Sequence, residues 1–163
     1  MSNISDYQAL VADMSVGFTA QSGEAIALTA KNMTELKNSY AKADTPVRLL
    51  LPYGGAENLS AEVLEPDESF GPNFYIRWMF SDVLLWRHVA FGRGLGDSAY
   101  DLREYLAAYA IAAEALEQTG ITDRMTKTAV SVNAVENFNF PVGSENIFIG
   151  AVATWTITED DPP

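Results

Sequence analysis

The chain has 163 residues, 48% of them apolar, with 22 acidic and 10 basic side chains for a formal net charge of −12. It contains no Cys and one His, which excludes disulfides, thiolate zinc sites and His-rich metal sites. The length is that of one compact domain able to bury a core without staples, and the acidic excess disfavours ordinary duplex DNA binding. That excess reads as solubility, or as a surface that DNA must pass without sticking.

The opening Met1-Ser-Asn-Ile-Ser-Asp6 has neither a basic n-region nor an apolar h-region, so no signal peptide is expected. No apolar run reaches the ~18 residues of a membrane span, and no internal repeat or low-complexity linker is visible.

Ile4, Tyr7, Leu10 or Val11, and Met14 recur at helical spacing behind a candidate cap, Asn3, and predict a short amphipathic helix. Ile26, Ala30, Met33, Leu36 and Tyr40 predict a second helix over about 23–40, with Ser22 as its cap. Pro46 opens a strand over Val47–Leu51. Gly54-Gly55 marks a turn, and Ala61–Leu64 is expected to return as the second arm of a hairpin. Pro66 and Pro72 bracket a loop.

The segment Phe74–Asp97 holds two of the three Trp, the only His, and Gly92, Gly94 and Gly96. Period-2 alternation from Phe74 to Phe80 predicts a strand. Continued to Ala90 it would span roughly 56 Å at ~3.3 Å per residue, so a bend or bulge near Ser81-Asp82, or a projecting arm, is expected. A helix follows from Asp97 or Ser98. Leu102, Tyr105, Leu106, Tyr109, Ala113 and Leu116 form its apolar stripe, and Gly120 stops it. Thr126, Thr128, Val130, Val132 and Ala134 are expected to share one strand face. Ile147, Ile149, Ala151, Ala153, Trp155 and Ile157 share another, across a Phe140–Ser144 hairpin loop. The fold class is therefore α+β: a mixed, mainly antiparallel sheet flanked by helices, with one long helix packed on it. Residues 1–158 form one domain, and 159–163 an acidic mobile tail.

No catalytic signature emerges. Gly92-Arg-Gly94-Leu-Gly96 has one residue between its last two glycines where the dinucleotide fingerprint needs two, and it lacks the Lys-Ser/Thr end of a P-loop. Its plain reading is a turn feeding a helix cap. Ser81, Asp82 and His88 supply the residue types of a hydrolase triad. On one strand, however, Asp82 and His88 lie ~20 Å apart, and no nucleophile elbow occurs. Asp67-Glu68 and 159–161 lack the spaced ligands of a calcium loop. No cofactor or metal is expected. Trp78 and Trp86 share strand parity and read as core or as interface anchors. With Arg77 and Arg87 they are the candidate subunit-interface residues, since Trp and Arg are enriched at hot spots.

Taken together, Trp78-Met-Phe-Ser-Asp82-Val-Leu-Leu-Trp86-Arg87, Gly92-Arg-Gly94-Leu95, the Leu102, Tyr105 and Tyr109 stripe, and Phe148-Ile-Gly150 to Trp155-Thr-Ile-Thr-Glu159 resemble a tailed-phage neck protein, the tail terminator or tail-completion protein. The resemblance covers about 45–159 and rests on structural patterns, not on a catalytic signature. It implies a non-enzymatic virion subunit with a mixed sheet flanked by helices, assembled in the host cytoplasm. Such a subunit forms a homo-oligomeric, sixfold ring (a hexamer) that ends the tail tube. The ring binds the tail tube protein and the head connector while DNA passes without specific binding. A head-completion, connector or tail-tube subunit is the alternative within this class. A small-molecule-binding domain walled by the Trp-rich stretch is the alternative outside it.

Overall fold

The computed structural model describes residues 3–31, 45–51, 60–64, 75–89, 95–116, 125–140 and 144–160. In chain order the elements are α1 (Asn3–Asp13), β1 (Val16–Thr19), β2 (Ala25–Leu28), β3 (Ala30–Lys31), β4 (Val47–Leu51), β5 (Ser60–Leu64), β6 (Tyr75–His88), α2 (Leu95–Ala115), β7 (Met125–Asn139) and β8 (Ile147–Asp160). The protein is α+β. β1 and β2 form a separate antiparallel hairpin, and the main sheet runs β3-β4-β6-β8-β7. All its pairs are antiparallel except β3–β4, which is parallel.

β6 is the axis of that sheet. One of its edges is paired along its whole length with β8. The other edge is shared end to end, with β5 on residues 75–79 and β4 on residues 81–85. β4 and β5 are thus not the two arms of a hairpin, as expected from the sequence. Each finds its partner in the same long strand, whose 14 residues span roughly 46 Å at ~3.3 Å per residue and offer room for both. The glycine turn and the proline loop expected at 53–58 and 66–72 lie outside the described residues, as does the stop at Gly120.

Alternation divides the sheet into two faces. Leu50, Phe80, Leu84, Ala151, Ala153, Trp155 and Ile157 point to the face covered by α1, the β1–β2 hairpin and α2. Val47, Leu49, Val83, Leu85, Phe140 and Phe148 form a smaller buried cluster on the other. The stripe expected on the long helix is the one that packs inward: Leu102, Tyr105, Tyr109 and Ala113 are buried.

The register slips between Leu85 and Arg87, so Trp86 and Arg87 together oppose Ile149. The irregularity expected at Ser81-Asp82 therefore sits at Trp86, a two-against-one bulge. β7 slips between Lys127 and Ala129 and again between Val135 and Phe138. The first slip breaks the face expected for β7. Val130 and Val132 lie opposite Trp155 and Ala153 on the helix side, whereas Thr126 lies opposite Thr158 on the far side. Lys127, opposite Ile157, takes the place that alternation alone would give to Thr126 or Thr128.

The predicted helix over 23–40 is replaced, as far as the described residues run, by strands β2 and β3. Ile26, Leu28 and Ala30 pack against the core at period 2, and a short apolar run suits either period. The turn decides: Gly23 N–H donates to Ala20 O (2.8 Å) with φ +83, and Ala20 N–H donates to Glu24 O (2.8 Å). That left-handed glycine closes a three-residue hairpin loop. At the far end β8 runs through Asp160, so Glu159 and Asp160 belong to the sheet and not to a mobile tail. Residues 161–163 lie outside the described residues. Among the described residues no helix is long and apolar enough to cross a membrane.

Neither helix carries a basic side chain in its last turn. For α2 the cation comes from the sheet. Lys127 Nζ donates to Ala113 O, and to Glu114 O at 3.2 Å. It meets two of the carbonyls in the helix's last turn and the negative end of its dipole. Lys127→Met keeps the aliphatic stem and removes this cap. It is expected to cost about 1 kcal/mol, read as a lower urea midpoint at unchanged slope.

Candidate functional site

The strongest polar feature is buried. Arg48 on β4 and Asp82 on β6 are diagonal neighbours on the helix side of the sheet, since Arg48 pairs with Leu84 and Leu50 with Asp82. Their side chains are each 1% exposed, and Arg48 Nε donates to Asp82 Oδ2 at 2.7 Å. The guanidinium then reaches the end of α1. Its Nη1 donates to Met14 O and its Nη2 to Val11 O (2.6 Å). Thus Arg48 does for α1 what Lys127 does for α2. On the other side Tyr109 Oη donates to Asp82 Oδ2 at 2.7 Å and accepts from Trp155 Nε1 at 2.8 Å. The Arg48 guanidinium also lies 5.3 Å from the Tyr109 ring centre. One hydrogen-bonded chain, Trp155–Tyr109–Asp82–Arg48, therefore runs from β8 through α2, β6 and β4 to the C-terminus of α1.

Burial sets the direction for the carboxyl and the two tyrosines of this cluster, but not for the guanidinium. It raises the Asp82 carboxyl above its ordinary value against the opposing pull of Arg48 and the Tyr109 hydroxyl. Burial alone would lower the Arg48 pKa. The Asp82 charge, with help from Tyr109, outweighs it and holds the guanidinium above its ordinary value. Tyr109 is pushed well up by burial and then by the Asp82 charge, and Tyr105 is raised by burial. Among the described residues Asp82 Oδ1 and Tyr105 Oη have no hydrogen-bond partner. A cavity bounded by Arg48, Asp82, Tyr105 and Tyr109 leaves about 10 Å3 for the centre of a water-sized sphere, the scale of a single water molecule. The cluster is a tie between layers, and this cavity has no room for a substrate.

The four candidate interface residues are not equivalent. Trp86 is core: its ring lies 5.1 Å from Tyr105 and 5.7 Å from Phe18, and it is buried. Trp78 is half-buried, and its Nε1 donates to Glu159 Oε2 at 2.8 Å, which gives the buried Glu159 a partner inside the sheet. Arg77 pairs across the strands with Thr158 on the face away from the helices. Arg87, beyond the bulge, sits opposite Ile149 on the helix side. The two arginines therefore do not share a face as simple alternation suggests.

The triad-type residues are kept apart. Asp82 points to the helix side and Ser81 to the other. His88 stands edge-on to Phe148 of the far-side cluster, with ring centres 5.0 Å apart. Gly92, Arg93, Gly94 and the Asp67-Glu68 pair lie outside the described residues, and Leu95 and Gly96 already belong to α2. Among the described residues no group of three His, Cys, Asp or Glu side chains is placed to hold a metal ion.

The sequence carries a signal for Arg48. This residue is a lone cation in the apolar run Val47–Leu51, as Asp82 is a lone anion on the apolar face of β6. Two isolated, opposite charges in separate buried strands point to each other.

Two outcomes follow. Arg48→Met alone or Asp82→Leu alone leaves a buried charge without its counter-ion and is expected to cost about 3–5 kcal/mol. The double variant should recover most of that loss, as denaturant titration of all four proteins would show. Tyr7, fully buried in α1, has its pKa raised from 10.0 to about 12 by burial. A raised tyrosine contributes stability that is whole below pH 10 and lost as pH climbs through about 12. Tyr7→Phe should therefore flatten the alkaline limb of the stability profile between those values, by on the order of 2 kcal/mol.

No model of a known protein family matches this chain, and no curated protein and no solved structure matches it either.

Proposed function

We propose that this chain is a non-enzymatic assembly subunit of a tailed-phage neck. In this reading it is a tail terminator that forms a ring on the end of the tail tube and offers its other side to the head connector. The observation that carries this reading is the three-stranded blade β6–β8–β7, whose strands run 14, 14 and 15 residues, against a usual ~5–6. The helix layer covers one side of the blade. On the other side, over the β7–β8 part, Thr126, Ala129, Ser131 and Asn133 are exposed, and Thr154, Thr156 and Thr158 are half-buried. Short side chains on a long, open sheet make a flat platform suited to contact with another protein.

Two further features support the reading. The buried ionic cluster ties helices to sheet and does not line a cleft. The net charge of −12 would give a ring an interior that phosphate backbones slide past. The neck role itself is taken from the resemblance over about 45–159, with sixfold closure and the tail tube and connector as partners.

The test is sedimentation velocity and electron microscopy of the purified protein, alone and mixed with tail tubes. Rings in solution, or rings capping tube ends, are expected. A chain that stays monomeric at all concentrations and never decorates a tube end overturns the proposal.

A further inference from the structure

Two hydroxyls on α2 stand over one carboxylate. Tyr105 and Tyr109 are one turn apart on the inward face, ~6 Å along the helix axis. Tyr109 Oη bonds Asp82 Oδ2 at 2.7 Å. Arg48 Nε bonds the same oxygen, also at 2.7 Å. The other oxygen, Oδ1, and the other hydroxyl, Tyr105 Oη, are both buried, and among the described residues neither has a hydrogen-bond partner. Tyr105 is 0% exposed and Asp82 2%. Burial raises the Tyr105 pKa, and the nearby Arg48 and Asp82 charges also act on it. The hydroxyl therefore keeps its proton and can donate. Both side chains border the same small cavity, with Arg48 and Tyr109, and its remaining wall is aliphatic.

We propose that this cavity binds one water molecule, which donates to Asp82 Oδ1 and accepts from Tyr105 Oη. The proposal stands apart from the neck reading. Space, polarity and charge each favour water over its rivals. The cavity leaves about 10 Å3 for the centre of a water-sized sphere, and one water needs ~10–15 Å3 by that measure. Cavities that stay dry are apolar, whereas a dry space here would desolvate a carboxylate oxygen and a hydroxyl with no return. A proton on Oδ1 would neutralise Asp82 and leave the Arg48 guanidinium in the core without its counter-ion. A metal ion needs more ligands than one carboxylate oxygen and one protonated hydroxyl, and it would lie beside a guanidinium. An anion would face Asp82. Water is donor and acceptor at once. Arg48 is at hand for a third bond, because its links to Asp82, Met14 and Val11 use three of its five N–H groups.

The water extends the buried chain of bonds by one residue. Asp82 then holds α2 at two successive turns, directly through Tyr109 and through water at Tyr105. The Tyr105 ring in turn carries Trp86, 5.1 Å away between centres, and stands edge-on to Phe18 of β1 at 5.7 Å. The β1–β2 hairpin thus rests on a ring whose hydroxyl is tied back to the ion pair.

The test substitutes Ala153, which pairs with Asp82 across the strands and lines the cavity. Ala153→Val fills the space with methyl groups. Ala153→Ser puts a hydroxyl there, which can donate and accept in place of the water. With water bound, Ala153→Val should raise the unfolding constant about tenfold or more, and Ala153→Ser should stay within about threefold of the wild type. A dry cavity gives the reverse order, with Val gaining stability and Ser losing it, and that order overturns the proposal. Overpacking by valine also destabilises, so a high-resolution crystal structure of the wild type decides independently. A single peak ~2.6–3.2 Å from both Asp82 Oδ1 and Tyr105 Oη is expected, and it should be gone from Ala153→Val. No peak in otherwise ordered density, a direct Asp82–Tyr105 bond, an ion, or a side chain from elsewhere in the chain at that place would each overturn it.

Discussion

The layers of this protein are held in register by one desolvated cation. Taking the Arg48 guanidinium out of water costs several kcal/mol, and that cost is recovered only where its geometry is fully met. Asp82 supplies the counter-charge, and Val11 and Met14 supply the carbonyls at the end of α1. The partners come from two different elements, β6 and the end of α1, so the position of α1 over the sheet follows from that of β4 against β6. A one-residue slip of β4 would turn Arg48 to the apolar far side beside Val83 and Leu85. A two-residue slip would part it from Asp82. Apolar packing alone tolerates such slips far better, because Val47, Leu49 and Leu50 are close to interchangeable in volume and shape. The ion pair makes this register more specific than its hydrophobic content requires.

The same tie extends into the aromatic core. Trp155 is fully buried, with the Tyr7, Phe80 and Tyr109 rings 6.2–6.4 Å away. Its indole N–H, which would be costly to bury alone, is taken up by Tyr109 Oη, whose own proton goes to Asp82. Tyr109 therefore couples the packing of α2 to the charge on β6. Lys127 repeats the arrangement at the other helix. In both cases a sheet residue caps a helix that ends without a basic residue of its own, so the helices depend on the sheet for their last turn.

What could be read in the sequence was what has a period and a length. α1, the inward stripe of α2, β4, the long β6 and the β7–β8 hairpin all show it. What could not be read was set by contacts between distant residues. Ile26, Leu28 and Ala30 fit a helix or a strand equally well, and the choice fell to the Gly23 turn and the core beneath. β5 follows β4 closely in sequence yet pairs with β6. The bulges at Trp86 and near Thr128 move single residues, so Thr126, Arg87 and His88 face opposite to simple alternation. Glu159 reads as the start of an acidic tail until Trp78 is placed beside it. Of the four proposed interface residues, Trp86 turned inward because Phe18 and Tyr105, from two other elements, close over it. The Arg48–Asp82 pair was visible only as two lone charges 34 residues apart in sequence.

The irregularities of β7 bear on what its outer edge can pair with. Among the described residues β7 pairs with β8 alone, so no described strand lies on its other edge. Such an edge invites pairing with any other strand. The register breaks near both ends of β7, between Lys127 and Ala129 and between Val135 and Phe138. Breaks of this kind bend and twist a strand, so an incoming partner strand can align with only the seven residues from Ala129 to Val135. Edge pairing between like strands also has no built-in stopping point, and in a chain whose central strands run 14 residues it would favour open sheets. The strand whose edge could extend without limit is thus blunted near both ends by its own register breaks, while the Arg48 and Lys127 ties hold both helices to one common face of the sheet.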